Sequence, residues 1–313
     1  MSLVALLTDM NRQSEGPWLD ALRLAMPEET IRPLADIEAD RLGHVEVAVV
    51  ANPQPSELSR LPNLRWIHSL WAGVEKLVRE IGPTGVPIVR LVDPELARAM
   101  AEAVLAWTYY LFRDMPAYAR QQREGVWKPL PYRHPSNVTV GILGLGELGT
   151  AAGLKLREAG FATLGWSRTP KNVAGIESFA GEAGLAAMLS RSDILVCLLP
   201  LTPETNGLLD SARLGTLPAG ASLINFGRGP ILNEGDLLGL FDAGHLAHAV
   251  LDVFRTEPLP AGDPLWRHER VTVLPHVSGP TDRKTASRIV AANIRAFRAT
   301  GAIPATVDIG RGY

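Results

Sequence analysis

The sequence contains a single cysteine, Cys197, and this scarcity excludes a disulfide framework. Cys197 stands in the apolar run 194–199, where we expect a buried structural thiol rather than a nucleophile. His, Cys, Asp and Glu do not cluster at the spacing of metal ligands, so we predict no catalytic metal. The chemistry must come from other side chains or from an organic cofactor.

The sequence also lacks a charge excess, because 31 Lys and Arg residues face 33 Asp and Glu residues, for a formal net charge of −2. Without a block of like charges, neither nucleic acid nor a membrane is predicted as a partner, and a small molecule is expected. No apolar run is long enough to cross a bilayer. The opening MSLVALLTDMN has no basic leader and is predicted as a first strand, in a soluble, cytoplasmic protein.

The length of 313 residues predicts two domains of about 100 to 200 residues each. In the first hundred residues, short apolar runs alternate with helical stretches, which indicates a small α/β domain with a parallel sheet. The apolar runs are 3–7, 45–50, 64–70 and 86–91, and the helical stretches are 18–26 and 74–81. Residues 95–122 form a long helical pattern that Pro116 must kink or end, followed by an extended proline-rich arm at 125–135.

A glycine-rich turn at Gly144, Gly146 and Gly149 organises the second half of the chain. It follows an apolar strand and precedes an amphipathic helix, which is the order found in dinucleotide-binding sites. There the first glycine allows a tight turn, the second lets the backbone approach a pyrophosphate, and the third lets the helix pack close to the strand. A plain strand–turn–helix is the alternative. Strands are predicted at 138–143, 161–166, 194–199, 221–226, 247–253 and 271–274, the six of a full doubly wound nucleotide domain.

Polar residues cluster where three of these strands end, the edge at which α/β sheets bind ligands. The segments are Asn225-Phe-Gly-Arg-Gly, Asp252-Val-Phe-Arg-Thr-Glu-Pro and Leu274-Pro-His. With these segments, the glycine-rich turn, LPLTPET (199–205), PLWRH (264–268) and the terminal Arg311-Gly-Tyr, the chain resembles the D-isomer-specific 2-hydroxyacid dehydrogenases, in the glyoxylate/hydroxypyruvate reductase A branch. The resemblance covers nearly the whole chain.

The resemblance implies two Rossmann or flavodoxin-like doubly wound parallel-sheet domains with the active site in the cleft between them. Residues 1–98 and 280–313 would bind substrate, and residues 99–279 would bind the dinucleotide. It assigns catalysis to Arg228, Glu257 and His276. Reduction of a 2-oxo acid needs a proton donor poised near neutral pH, which suits a histidine whose charged form a carboxylate stabilises. The arginine can bind the substrate carboxylate and polarise the carbonyl.

The cofactor is expected to be NADPH rather than NADH. An acid at the end of the strand after the fingerprint helix would select NADH, but here Ser167, Arg168 and Lys171 follow that strand and favour a 2′-phosphate. A solvated loop is the alternative. The further expected cofactor contacts are Gly144, Leu145, Gly146, Glu147, Leu148, Gly149, Leu199, Pro200, Thr205, Phe226, Gly227, Asp252, Ser278 and Gly279. Asp252 resembles the family's nicotinamide-contacting acid, and a strand-end turn acid is the other interpretation.

The substrate site is predicted at the loop Leu70, Trp71, Ala72 and Gly73, whose backbone N–H groups could hold a carboxylate, together with Arg228 and His276. An ordinary βα turn is the alternative for this loop. Most of the family has Gly where this chain has Trp71, and related reductases carry a Trp at the position of Ala51. The bulk of Trp71 could therefore change the size of substrate that the pocket accepts, and its ring could replace the aromatic group that is missing at Ala51.

We expect a homodimer, because the aromatic helix and the arm contain more large apolar groups than a monomer would expose. The alternative to an enzyme is a nucleotide-sensing, corepressor-like binding protein. Formate or phosphite oxidation is a weaker alternative within the enzyme class.

Overall fold

The structure is a computed structural model that describes residues 2–310, in two compact units. Unit 1 comprises the described parts of Met1–Glu95 and Thr281–Tyr313, and unit 2 comprises Leu96–Pro280. These limits lie close to the predicted domain limits, and the roles assigned to the two parts stay predictions. The terminal motif that begins at Arg311 lies outside the described residues.

Within the described range, unit 1 contains a parallel five-stranded sheet in the order β2-β1-β3-β4-β5. The strands are β1 (Leu3–Thr8), β2 (Thr30–Pro33), β3 (Val45–Ala51), β4 (Trp66–Ser69) and β5 (Ile88–Val89). The four predicted apolar runs each contain a strand. The sequence did not indicate β2, because this short edge strand buries only Ile31 and its other residues are half-buried.

The helices of unit 1 are α1 (Arg12–Ala25), α2 (Pro55–Leu58), α3 (Glu75–Ile81) and α10 (Arg283–Thr300). α1 begins earlier than predicted, because the side chain of Asn11 accepts the N–H of Ser14 and caps the first turn. The last helix contributes five buried side chains to the core on one face of the sheet: Ala286, Val290, Ala291, Ile294 and Phe297. The C-terminal helix therefore belongs to the unit built from the N-terminal residues.

The sheet of unit 2 is parallel, with seven strands in the described range in the order β12-β11-β10-β9-β6-β7-β8. The strands are β6 (Thr139–Leu143), β7 (Ala162–Ser167), β8 (Glu177–Ala180), β9 (Ile194–Cys197), β10 (Ala221–Asn225), β11 (Leu246–Leu251) and β12 (Val271–Val273). The prediction of six strands was wrong by one, since edge strand β8 begins with two polar residues, Glu177 and Ser178, and contains no apolar run. β6 lies beside β9, the point of reversal at which doubly wound sheets bind nucleotides.

The helices of unit 2 are α4 (Pro94–Phe112, whose first turn holds the unit boundary), α5 (Met115–Glu124), α6 (Glu147–Glu158), α7 (Gly181–Leu189), α8 (Ser211–Leu214) and α9 (Glu234–Asp242). The predicted helix 95–122 is divided at Asp114, which has a left-handed φ of 53°, and Pro116 lies in the first turn of α5. Residues 126–134 form neither helix nor strand. This agrees with the predicted extended arm.

Across residues 2–310, no helix combines the length and the apolar character needed to span a membrane. Over the same residues, His, Cys, Asp and Glu side chains do not assemble into a group of three or more that could hold a metal ion.

Candidate active site

The glycine-rich turn connects β6 to α6 and leaves room for a ligand. Gly144 has a φ of 104°, which side chains rarely allow, and a Cβ at Gly149 would overlap the carbonyl oxygen of Gly144. By contrast, a Cβ at Gly146 would meet no atom within 4 Å. The first two constraints are structural, whereas the open space at Gly146 fits the close approach of a bound pyrophosphate at the start of α6.

The loop that carries Arg228 follows β10 and is held by Asn225. The Oδ1 atom of this buried asparagine accepts the N–H of Gly227 at 3.2 Å, and its Nδ2 donates to the carbonyl oxygen of Arg228 at 3.3 Å. A Cβ at Gly229 would overlap the carbonyl carbon of Phe254, so only glycine lets this loop pack against the loop after β11. The Arg228 loop therefore lies directly against the segment that leads to Glu257.

Glu257 and His276 form the hydrogen bond expected of an oriented proton donor. Nδ1 of His276 lies 2.8 Å from Oε2 of Glu257, while Oε1 of Glu257 accepts the N–H of Phe254 at 2.9 Å. A carboxylate accepts only, so Nδ1 carries a proton and Nε2 remains for a substrate. The structure thus brings two of the three predicted catalytic side chains into contact, from the ends of β11 and β12.

Charge near the pair shifts both of its pKa values. The hydrogen bond to Glu257 raises the pKa of His276 above its ordinary value, against the opposing effects of burial and of the Arg228 charge. Burial acts to raise the pKa of Glu257, but the hydrogen bond from His276 and that from Phe254 outweigh it, and the pKa is lowered. Since Arg228 acts on both groups, its positive charge lies close to them. The pair favours an ionised carboxylate and a protonated ring.

Asp252 has a structural partner that the sequence did not identify. Its carboxylate is buried and accepts the N–H groups of Val277 at 2.8 Å and Ser278 at 2.9 Å, the two residues after His276. His276 itself has a left-handed φ of 52°, so these bonds hold a backbone conformation that a non-glycine residue seldom adopts. The interpretation of Asp252 as a strand-end turn acid accounts for its contacts here. The signal in the sequence was an acid directly after a predicted strand.

The other predicted cofactor residues lie at the carboxyl ends of the same strands in unit 2. Leu199 and Phe226 are buried apolar groups, and a Cβ at Gly227 would lie 2.7 Å from the carbonyl oxygen of Leu199. Thr205 braces its own segment, because its hydroxyl donates to the carbonyl oxygen of Pro200 at 2.8 Å. Gly279 packs against Met100, with 2.8 Å between a Cβ built at Gly279 and the methyl carbon of Met100. The predicted residues therefore share one edge of one sheet.

Ser167 is already engaged. Its hydroxyl, at the end of β7, donates to the carbonyl oxygen of Thr169 at 2.7 Å, so donating to a 2′-phosphate would require this bond to be exchanged. Arg168 and Lys171 follow in the loop and are exposed, and the Arg168 charge is close enough to contribute to the lowered pKa of Glu204, after the hydrogen bonds from Thr202 and from the Glu204 backbone. The positive charge predicted at this turn is present, and Ser167 in its observed rotamer does not supply a donor.

These residues fit a dinucleotide. Gly146 opens toward free space, and the hydroxyl of Ser278 is buried without a hydrogen-bond partner among the described residues, which suits a polar group of a ligand beside His276. The loop after β7 contains no acid in residues 168–171. These features are compatible with a dinucleotide that carries a phosphate on its adenosine ribose.

The predicted substrate loop lies in unit 1, directly after β4. Trp71 donates its N–H to the hydroxyl of Ser69 at 3.0 Å and accepts the N–H of Leu91 at 3.2 Å. The next N–H groups, those of Ala72 and Gly73, donate to no acceptor within residues 2–310. Leu70 is buried and bonds to the carbonyl oxygen of Val50 at 2.8 Å. Hydrogen bonds thus fix the first half of the loop, Leu70 and Trp71, and the N–H groups of the next two residues remain available to a ligand.

His68, which precedes this loop, is a buried histidine with both ring nitrogens engaged. Nδ1 lies 2.8 Å from the carbonyl oxygen of Ser69, and Nε2 lies 2.9 Å from Nδ2 of Asn293. A carbonyl only accepts, so the proton is on Nδ1 and Asn293 donates to Nε2. Burial lowers the pKa of His68 to about 4. His68 is therefore a neutral structural residue.

Cys197 is fully buried, and burial raises the pKa of its thiol to about 12. The thiol is accordingly protonated and unreactive at neutral pH. The expectation of a structural cysteine is confirmed.

Comparison with known proteins identifies the family. The sequence model of the family described as "D-isomer specific 2-hydroxyacid dehydrogenase, NAD binding domain" matches residues 105–278. Glyoxylate/hydroxypyruvate reductase A of Yersinia enterocolitica is 40% identical over 303 residues, 95% of this chain and 96% of that protein. A D-isomer specific 2-hydroxyacid dehydrogenase of Xanthobacter autotrophicus, solved with NADPH and MES, has a TM-score of 0.93 at 39% identity, covering 100% of this chain and 99% of that chain. NADPH-dependent glyoxylate/hydroxypyruvate reductase of Sinorhizobium meliloti, solved with NADP and sulfate, has a TM-score of 0.91 at 34% identity, with 100% of both chains covered. Together with the geometry of the site, these matches show that the chain belongs to the D-isomer-specific 2-hydroxyacid dehydrogenase family, in the branch of the glyoxylate/hydroxypyruvate reductases A.

Proposed function

We propose that the protein reduces small 2-oxo acids, such as glyoxylate or hydroxypyruvate, to D-2-hydroxy acids with NADPH. The observation that carries the proposal is the hydrogen bond of 2.8 Å between Glu257 and His276, beside the charge of Arg228. Relatives that match almost the full length are named glyoxylate/hydroxypyruvate reductases, and solved neighbours contain NADPH or NADP. A nucleotide sensor without turnover would have no use for a paired, charged proton donor.

The chemistry divides among three side chains. When bound, NADPH supplies the hydride that reduces the carbonyl carbon. Arg228 binds the acid and polarises its carbonyl through a planar, permanently charged group. His276, protonated and oriented by Glu257, gives the Nε2 proton to the oxygen as negative charge develops there. Asp252 holds the peptide groups after His276, so the ring is in place before substrate arrives.

The cofactor would be held by the edge of unit 2. Gly144, Gly146 and Gly149 place backbone N–H groups at the start of α6 for the pyrophosphate, and the exposed Arg168 and Lys171 offer charge to the 2′-phosphate. Leu199 and Phe226 supply apolar surface next to these groups. The assignment of individual contacts is part of the proposal.

The proposed assembly is a homodimer in the cytoplasm. Trp127 is 99% exposed and Tyr132 is 61% exposed, both in the extended arm, and monomers rarely leave such groups in water. Tyr132 packs against Phe112 of α4, so the exposed arm continues an ordered aromatic surface. Light scattering at micromolar protein should give the mass of two chains, and the mass of one chain would refute the dimer. A single free, buried thiol suits a reducing compartment.

The decisive experiment mixes purified protein with NADPH and a panel of 2-oxo acids and follows absorbance at 340 nm. Turnover that is lost in His276→Asn, with NADPH binding retained, supports the reductase. NADPH binding without turnover on any acid would support the sensor instead. A separate assay with formate or phosphite and NADP tests the alternative oxidations, which would form NADPH and raise the absorbance at 340 nm.

A further inference from the structure

The residue before the two unengaged amide groups of the substrate loop is a tryptophan. Ala72 and Gly73 donate to no acceptor within the described residues, and consecutive Cα atoms are only about 3.8 Å apart. Any acid held by these two N–H groups would therefore bind next to the backbone of Trp71. Trp71 is half-buried.

The backbone of Trp71 is fixed without any ligand. Its N–H donates to the Ser69 hydroxyl at 3.0 Å, and its carbonyl oxygen accepts from Leu91 at 3.2 Å. These bonds tie the residue to the end of β4 and to the chain after β5. The position of the Cα–Cβ bond is consequently set before a substrate binds.

The ring of Trp71 is fixed as well. It packs edge to face on Trp18, with 5.7 Å between ring centroids and 88° between ring planes. Trp18 lies in α1, is 5% exposed and belongs to the core that also contains Ala51. The ring of Trp18 cannot move without opening that core. Because edge-to-face pairing is a favoured geometry for two aromatic rings, Trp18 holds the ring of Trp71 in place.

We propose that Trp71 is a specificity-determining residue which limits the size of the group attached to the substrate carbonyl, and that Trp18 positions it. This inference rests on the proposed reduction of 2-oxo acids. A preset indole admits a hydrogen, methyl or hydroxymethyl group beside the carbonyl and obstructs branched or aromatic groups.

The test compares kcat/KM for a large acid, 2-oxoisocaproate or phenylpyruvate, with kcat/KM for glyoxylate. Trp71→Ala should raise this ratio about tenfold or more, since contacts in a pocket discriminate by about 10- to 200-fold. Trp18→Leu, which leaves the loop sequence intact, should raise the ratio in the same direction by a smaller factor. Trp18→Phe keeps an aromatic partner and should restore the wild-type ratio.

Phe297→Leu is the matched control, because Phe297 belongs to the same core but packs against Trp66 instead of Trp71. Its ratio should equal that of the wild type. An unchanged ratio in active Trp71→Ala would overturn the proposal, and so would an equal shift in Phe297→Leu and Trp18→Leu. If Trp18→Leu does not fold, the ratios measured for Trp71→Ala and Trp18→Phe still test the proposal. Wild-type protein that turns over no 2-oxo acid would instead refute the reaction itself, and the size limit with it.

Discussion

The carboxylate of Glu257 contacts His276 with one oxygen and a backbone N–H with the other. The distances are 2.8 Å from Oε2 to Nδ1 of His276 and 2.9 Å from Oε1 to the N atom of Phe254. Because both oxygens are engaged, the carboxylate cannot rotate away from the ring without losing a second bond. This fixes the tautomer of His276 as well as its charge.

Glu257→Gln should shift the pH dependence of 2-oxo acid reduction to lower pH. The donor must be protonated, so the rate falls as pH rises through the pKa of His276, and the hydrogen bond to Glu257 keeps that pKa above its ordinary value. An amide removes the charge that sustains the shift. Rates measured from pH 5 to 9 check this, with Glu182→Gln, an exposed partner of Arg213, as the control. Identical profiles for Glu257→Gln and wild type would contradict the role of Glu257.

Asp252→Asn should slow the reaction while leaving the fold intact. The amide keeps one acceptor for the two N–H groups of Val277 and Ser278 and places its own N–H₂ against the other, so the peptide after His276 loses a support. We expect kcat to fall about tenfold or more, because a displaced proton donor loses much of its effect. Asp193→Asn is a matched change, since Asp193 accepts the N–H of Thr139 at 2.8 Å at the opposite end of the sheet. Equal losses of kcat in the two variants would contradict the proposed role of Asp252 in holding the peptide after His276.

Arg168→Ala should reduce the preference for NADPH over NADH. A charge-assisted hydrogen bond contributes roughly 1.5 to 3 kcal/mol, and each 1.4 kcal/mol is about tenfold in affinity, so the ratio of kcat/KM values should fall about ten- to a hundredfold. Adding Ser167→Asp should reverse the preference, because the new carboxylate repels a 2′-phosphate. Arg191→Ala, which removes an exposed arginine paired with Glu177, serves as the control. A wild-type enzyme that prefers NADH would contradict the assignment.

Two buried histidines should make the protein less stable as pH falls. Burial lowers the pKa of His68 and that of His248 to about 4, while an unfolded histidine titrates near 6.5. Between these values the unfolded chain binds more protons, so their contribution is present above about pH 6.5 and is lost toward pH 4. Each histidine should lower the free energy of unfolding by about 1.4 kcal/mol per pH unit in that window.

Urea unfolding at pH 7.5 and at pH 5 measures this slope. Replacing His68 by Gln should lower stability at pH 7.5, because Asn293 and Ser69 lose their partner, yet it should flatten the pH dependence. The same change at His134, which is exposed, should alter neither quantity. A slope in the His68 variant as steep as that of wild type would refute the account.

The elements that the sequence predicted are those in which local pattern and burial coincide. β6 and the turn at Gly144 combine an apolar strand with glycines that backbone geometry requires, and both were anticipated. Edge strands β2 and β8 were missed, because their sequences, TIRP and ESFA, contain no run of apolar residues. The break at Asp114 was anticipated through Pro116, although its position depends on a left-handed residue that local propensity does not reveal.

The site was anticipated through motifs, and its supports were not. Arg228, Glu257 and His276 each stand in a recognisable segment. Asn225 bonds to backbone groups of the nearby Arg228 loop, which no motif indicates. Asp252 bonds to the peptides after His276, which are distant from it in sequence. The hydrogen bond of Ser167 was not predicted either: its hydroxyl donates to the carbonyl oxygen of Thr169, two residues away, and its contact with a 2′-phosphate stays a prediction. Such pairings emerge only when the chain is folded.

The position of α10 has a consequence for biosynthesis. Its side chains, Phe297 among them, complete the core on the face of the sheet that α1 covers, so β1 and α1 lack part of their core until α10 has been synthesised. Unit 2 is one uninterrupted segment and has no such dependence. Domains usually fold in the order of synthesis, N-terminal part first, but here we expect unit 2 to complete its core before unit 1, which leaves residues 1–95 exposed longest to chaperones and proteases.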